Sequence, residues 1–247
     1  MSKNINFFVT DENVWLQVIS EKNDTFGRPA LFMDRDGVIV EEVNYLHRKE
    51  DVSIIPGAIE VIRRANILNI PVIILTNQAG VGRRYYSWKH FAEVQNEILM
   101  ILEDADVEID AVFACPHHPE ARGPYFHPNH PWRKPNPGML TIAEMKMEIN
   151  IAKSWIIGDR ASDIRAGANA GCLGDIHVKT GHGIRESEQN ASLALAIVLF
   201  LGLFYLNDGI AFDSLFWSWL FRYIHVIVAI MWIGLLWYFN FVQIPNM

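Results

Sequence analysis

"PALFMDRDGVI", residues Pro29 to Ile39, decides how the rest of the chain is read. Its first half is an apolar run of strand length. Its second half sets two carboxylates, Asp34 and Asp36, two residues apart with Gly37 beside them. A buried strand that ends on a carboxylate delivers that side chain into a crevice, and the glycine lets the chain turn away. One carboxylate can then act as a nucleophile while the other handles protons. Carboxylates that simply cap a turn are the competing reading of this stretch taken alone.

Outward from it the same punctuation recurs. "PVIILT" (71–76), "DAVFAC" (110–115) and "SWIIGD" (154–159) are strand-like, whereas "AIEVIRRANILN", "SWKHFAEVQNEILMILED", "PGMLTIAEMKMEI" and "SDIRAGANAG" are helical segments between and after them. Ser87 stands where a helix N-cap belongs. Alternation of this kind predicts an α/β domain built on a doubly wound parallel sheet. Ligands of such sheets gather at the carboxyl ends of the strands, where Asp34, Thr76 and Asp159 all fall.

Composition divides the chain in two. It has 247 residues and a net charge of −7, yet after Glu188 only Asp208, Asp213 and Arg222 are charged. Three spans are expected: an extension over 1–28, the α/β domain over 29–188, and a hydrophobic segment over 189–247. No basic run suggests nucleic acid. Cys115 and Cys172 are too few for a disulfide framework, and the N-terminus lacks a signal-peptide core, so the α/β domain is expected in the cytoplasm.

The strand ends carry further chemistry. In "TNQAGVG" (76–82), the Thr76 hydroxyl and nearby backbone N–H groups suit phosphoryl oxygens. "RKP" (133–135) offers Arg133 as a bidentate clamp and Lys134 as a point charge. "GDRASD" (158–163) supplies Asp159 and Asp163, oxygen ligands of the kind Mg²⁺ accepts. A simple turn, a solvated pair of surface cations and an acidic helix start would explain each motif singly.

Taken together and in this order, "MDRDGVI", "TNQAGVGR", "CPHHP", "RKPNPGML" and "GDRASDIRAGANAG" resemble the haloacid dehalogenase superfamily of phosphatases. Within it they look like the D-glycero-D-manno-heptose 1,7-bisphosphate 7-phosphatase branch, to which histidinol-phosphatases are related. The resemblance covers about residues 29–185. It implies a Mg²⁺-dependent phosphatase acting on a small phosphorylated sugar, with removal of the 7-phosphate of the heptose bisphosphate as the leading expectation and histidinol phosphate or another small ester as the alternative. By the same resemblance, Asp34 is the nucleophile, Asp36 the general acid and base, and Thr76 and Lys134 hold the phosphoryl group. Mg²⁺ is held by Asp34, the Asp36 backbone oxygen and Asp159. Arg133 contributes to substrate choice, Asn77 and Arg160 line the pocket, and the stretch from Glu42 to Tyr45 approaches the sugar. Asp163 supports Lys134 or a metal-bound water.

Two loops, 37–56 and 115–137, flank the expected crevice, and neither has the length of a cap domain. The second, from Cys115, contains His117, His118, His127 and His130 among many prolines. Family members carry zinc on a C-x-H pair and a C-x-C pair. Here Cys115 and His117 keep the first pair, but the second reads His130, Pro131, Trp132. Three ligands do not close a structural zinc site, so the loop is read as a degenerate, metal-free one unless His118 or His127 supplies a fourth.

The tail contains two apolar segments, about 190–207 and 215–242, each long enough to cross a bilayer as a helix. They are read as a transmembrane hairpin anchoring the phosphatase domain at the inner or plasma membrane, with two buried globular helices as the alternative. The second segment is similar to the first helix of a urate-oxidase-like membrane module, which would make His225 a haem ligand or a polar residue facing another helix. A membrane redox or interaction module bearing a remnant phosphatase domain is therefore the rival reading of another class.

Overall fold

The computed structural model of the chain describes residues 8–20 and 26–185, together with Ser218, Phe221 and Arg222. The chain divides into two units, Met1–Gln189 and Asn190–Met247. In the first unit six strands form one sheet: β1 (Trp15–Val18), β2 (Leu31–Met33), β3 (Val72–Asn77), β4 (Ala111–Cys115), β5 (Trp155–Gly158) and β6 (Gly174–His177). Their order is β1-β4-β3-β2-β5-β6. β2 to β6 run parallel, and β1 closes one edge antiparallel to β4.

The helices are α1 (Ala58–Ile67), α2 (Ala79–Gly82), α3 (Trp88–Asp104), α4 (Gly138–Met147) and α5 (Ala161–Ala170). Strand residues alternate between two apolar cores. Val72, Ile74, Val112 and Ala114 pack with Ile62 of α1 and Phe91, Val94 and Ile98 of α3. Ile73, Leu75, Ala111 and Phe113 pack with Met139, Leu140 and Ala143 of α4 and Ala166 of α5. Because both faces of β3 and β4 are covered, those strands read as unbroken apolar runs. Each fully buried side chain of this size contributes roughly 1.5–3 kcal/mol. The sheet therefore holds its central strand ends firmly.

Two strands lie outside the expected series. β1 falls in the stretch expected as an extension, yet Trp15 is 2% exposed and meets Phe91 edge to face at 5.0 Å. Its four residues, "WLQV", are too few to stand out by periodicity. The other, β6, reads "GDIH" and is largely exposed, as suits an edge strand. At α3 the backbone N–H of Ser87 donates to His90 Nδ1 at 3.1 Å, which fixes the helix start.

The loops after β2 and β4 contain no element longer than the 3₁₀ turns Lys49–Asp51 and Gly123–Tyr125. Among the described residues no helix is long and apolar enough to cross a membrane. The hairpin expected over 190–207 and 215–242, and His225 within it, lies outside the described residues apart from Ser218, Phe221 and Arg222.

Candidate active site

Strand ends and two loops converge on a cleft of about 400 Å³. Asp34 is the first residue after β2 and is 8% exposed, with its N–H donating to the Ile157 carbonyl at 3.0 Å. The neighbouring strand thus fixes the backbone of this carboxylate. Lys134 reaches it from the loop before α4: its ammonium donates to Asp34 Oδ1 at 2.7 Å and to the Leu75 carbonyl at 2.8 Å, and lies 2.7 Å from Asp163 Oδ1. Asn77 grips the Lys134 backbone from both sides, donating through Nδ2 to its carbonyl and accepting its N–H, each at 3.1 Å.

Asp36 is surrounded by donors. Arg35 Nη2 donates to its Oδ1 at 2.8 Å, while Gln78 Nε2 donates to Oδ2 at 3.0 Å and Thr76 Oγ1 to the same oxygen at 3.4 Å. Gln78 is oriented by the Tyr86 hydroxyl, which donates to its Oε1. The buried Arg35 guanidinium lies 5.1 Å from the Phe91 ring centre. Four side chains therefore fix the direction of one carboxylate.

On the other side of Asp34, Asp159 follows β5 and is fully buried. Its Oδ2 accepts the His182 N–H at 2.7 Å, while its buried Oδ1 has no hydrogen-bond partner. Gly37, at φ +86°, passes so close that a Cβ there would stand 2.3 Å from Asp159 Oδ2. Only glycine fits that approach.

Asp34, Asp159 and Asp163 each offer a carboxylate oxygen, all within 4.8 Å of one another. Burial pushes the Asp34 carboxyl up to about 8, the Lys134 ammonium opposes this, and the carboxylates of Asp163, Asp159 and Asp36 add to it. Burial raises Asp159 as well. Negative charge in excess, an orphaned carboxylate oxygen and an all-oxygen donor set fit a hard divalent cation such as Mg²⁺.

The cleft rim brings together Glu42, Tyr45, Arg133 and Arg160. Arg133 Nη1 donates to the His117 carbonyl at 3.1 Å, and Arg160 Nη2 contacts His182 Nε2. Burial lowers the Arg133 guanidinium from its ordinary value, and Arg83 and Arg160 add to the effect.

Comparison with known proteins agrees with this geometry. The HAD-hydrolase-like family model matches residues 131–199. A D-glycero-beta-D-manno-heptose-1,7-bisphosphate 7-phosphatase of Mesorhizobium japonicum is 36% identical over 202 residues, covering 78% of this chain and 93% of the relative. The chain belongs to the HAD-like phosphatases.

A second member, a D-glycero-alpha-D-manno-heptose-1,7-bisphosphate 7-phosphatase of Photorhabdus laumondii, is 41% identical over 66% of this chain and 89% of its own. Among solved structures, a D,D-heptose 1,7-bisphosphate phosphatase from B. bronchiseptica, complexed with magnesium and phosphate, superposes with a TM-score of 0.59 at 26% identity over 65% of this chain and 86% of that one. As a HAD-like phosphatase the chain is a phosphoric monoester hydrolase.

In this HAD-like phosphatase the histidine loop is built on stacking. The His117 and His130 rings lie parallel, 3.8 Å apart between centroids. Both His117 nitrogens face carbonyl oxygens, Nδ1 that of Tyr125 at 3.2 Å and Nε2 that of Glu12 at 2.9 Å. Cys115 Sγ is 3.8 Å from His130 Nδ1, which also accepts the Trp132 N–H at 3.2 Å. The lone pairs that zinc requires are directed elsewhere, so these side chains as arranged do not fit the ion. Burial also pushes the Cys115 thiol up to about 12.

Several residues of the HAD-like phosphatase site lay beyond sequence reasoning: Arg35, Gln78, Arg83, Tyr86, His118 and His182. Gln78 sits inside the phosphate motif, and Arg35 between the two carboxylates, so position alone was a signal for both. Tyr86 and His182 come from loops whose return to the site depends on the tertiary fold.

Proposed function

We propose that the chain removes the 7-phosphate of D-glycero-D-manno-heptose 1,7-bisphosphate through an aspartyl-phosphate formed on Asp34. The observation that carries this reading is the buried Asp34 carboxylate at the centre of the sheet, flanked by Lys134 on one side and the Asp159 carboxylate on the other. The names of its relatives supply the substrate.

Asp34 attacks phosphorus in line with the bond to the sugar oxygen. That bond breaks, and Asp36 in its acid form gives its proton to the departing oxygen. Water then attacks the phosphorus of the aspartyl-phosphate, Asp36 takes the proton, and the Asp34 carboxylate and inorganic phosphate are released. The Thr76 hydroxyl, drawn away from Asp36, and the Lys134 ammonium donate to the phosphoryl oxygens as charge shifts. Asp34 and Asp159, with the Asp36 backbone carbonyl, would hold Mg²⁺, which supplies neutralising charge to the phosphoryl group. Asp163 keeps Lys134 aimed, and Arg133, Arg160, Glu42 and Tyr45 meet the sugar.

The test is phosphate release by the purified full chain in Mg²⁺, with heptose 1,7-bisphosphate and histidinol phosphate compared at equal concentration. The bisphosphate is expected to be preferred, and Asp34→Asn to be inactive on both. Preference for histidinol phosphate would refute the substrate, and an active Asp34→Asn chain would refute the mechanism.

A further inference from the structure

Arg83 caps the short helix α2 and reaches into the gap between the two cleft loops. Its Nη1 donates to the Tyr45 hydroxyl at 2.7 Å, and its Nη2 donates to Glu120 Oε2 at 2.8 Å and lies 3.1 Å from His118 Nε2. Tyr45 belongs to the loop after β2, and His118 and Glu120 to the loop after β4. One guanidinium therefore touches both loops that border the cleft.

Donors outnumber acceptors there. The backbone N–H of Glu120 donates to His118 Nδ1 at 2.9 Å, which places the ring proton of the neutral imidazole on Nε2, facing Arg83. Two donors thus face one another. Arg83 Nε is buried without a partner. Glu120 is the carboxylate that answers this group, and its side chain is 73% exposed while Arg83 is 22% exposed. An ion pair with one partner so open to water contributes little and is readily exchanged.

Lys134, proposed to hold the transferring phosphoryl group, already has its charge matched by Asp34 and Asp163, and the buried Arg35 is matched by Asp36. Arg83 is matched by a surface carboxylate alone. Resting on the bisphosphate reading above, we infer that Arg83, with the His118 ring, receives the second phosphate of the substrate, and that Glu120 is the counter-ion it displaces. Arg83 is thereby a specificity-determining residue. A phosphate offers the several acceptor oxygens that the guanidinium fork and the imidazole N–H lack among their present neighbours.

The experiment is steady-state kinetics of the full chain in Mg²⁺ on heptose 1,7-bisphosphate and on p-nitrophenyl phosphate, which has no second anion. Arg83→Met is expected to lose about 30-fold more kcat/KM on the bisphosphate than on the nitrophenyl ester, the scale of one charge-assisted contact. Glu120→Gln, an exposed change that leaves the fold intact, is expected to lower KM for the bisphosphate about twofold, since the competing carboxylate is gone. Equal losses on both esters with Arg83→Met, or an unchanged or raised bisphosphate KM with Glu120→Gln, overturn the inference while leaving the phosphatase reading in place. A wild-type chain that hydrolyses the nitrophenyl ester and shows no preference for the bisphosphate overturns the substrate reading and this inference together.

Discussion

Lys134 holds its ammonium 2.7 Å from the Asp34 carboxylate, and both side chains are buried. They are one hundred positions apart in the chain, and the Leu75 carbonyl and Asp163 take the other ammonium protons. Held in place by the Leu75 carbonyl and Asp163, the cation would need only to turn its one Asp34-facing proton toward a phosphoryl oxygen as Asp34 attacks, and so small a reorganisation favours electrostatic catalysis.

Lys134→Met is accordingly expected to lower kcat by about 10²- to 10³-fold. It also leaves Asp163 buried without its cation, so stability should fall by about 3 kcal/mol. Lys134→Arg should rescue little, because the planar guanidinium fork cannot donate to three partners arranged around one point. Phosphate-release kinetics and chemical denaturation check both effects, and a kcat within threefold of wild type would contradict the assignment.

Addition of Mg²⁺ should expel protons. The Asp34 carboxyl is raised to about 8 by burial, so at pH 7 in the absence of a cation it is largely protonated. Binding of a divalent cation selects the carboxylate and drives that proton into solution. Calorimetric titration in two buffers of different ionisation enthalpy should show release of about one proton per Mg²⁺ at pH 7, falling toward zero above pH 9. Uptake of protons, or none exchanged at pH 7, would show that Asp34 is already ionised.

Stability should weaken in mild acid because of His130. Burial, then His117 and His127, push its imidazole down to about 4, while the unfolded chain protonates near 6.5. Between those values the unfolded state binds more protons, so the stabilisation is fully present above pH 6.5 and is lost as pH falls toward 4. Urea denaturation of wild type and His130→Asn from pH 7.5 to 4 should show the flatter dependence for the variant. Parallel curves would mean that the stacked ring titrates normally.

How much of this was legible depended on whether a residue's signal was local. Asp34, Thr76 and Asp159 stand at the ends of apolar runs, and a parallel sheet brings such ends together, so their convergence followed from order alone. Asn77 was read as pocket lining and does line the cleft, but both atoms of its amide also hold the Lys134 backbone. No local pattern reports a pairing across 57 positions. The histidines after Cys115 left a rewired zinc site open beside the metal-free reading, because composition shows which ligands exist but not where their lone pairs point. Arg83 was invisible for the same reason: its partners come from two loops whose paths are set by packing.

The last element missed by sequence, β1, yields the sharpest test of where the domain begins. Trp15 pairs with Ala114 in the sheet and lies among Phe8, Trp88 and Phe91, at 5.0–5.7 Å between ring centres. An appendage would tolerate its loss, whereas a core residue would leave a cavity against α3 and free the edge of β4. Trp15→Ala is expected to cost about 3–5 kcal/mol, lowering the melting temperature by about 10 °C. Phe26→Ala, at a side chain 81% exposed, serves as the control and should change stability by less than about 0.5 kcal/mol. If urea denaturation gives the two variants the same stability, residues before 29 lie on the domain without belonging to it; if Trp15→Ala alone is destabilised, the phosphatase fold starts at least fourteen residues earlier than its motifs suggest.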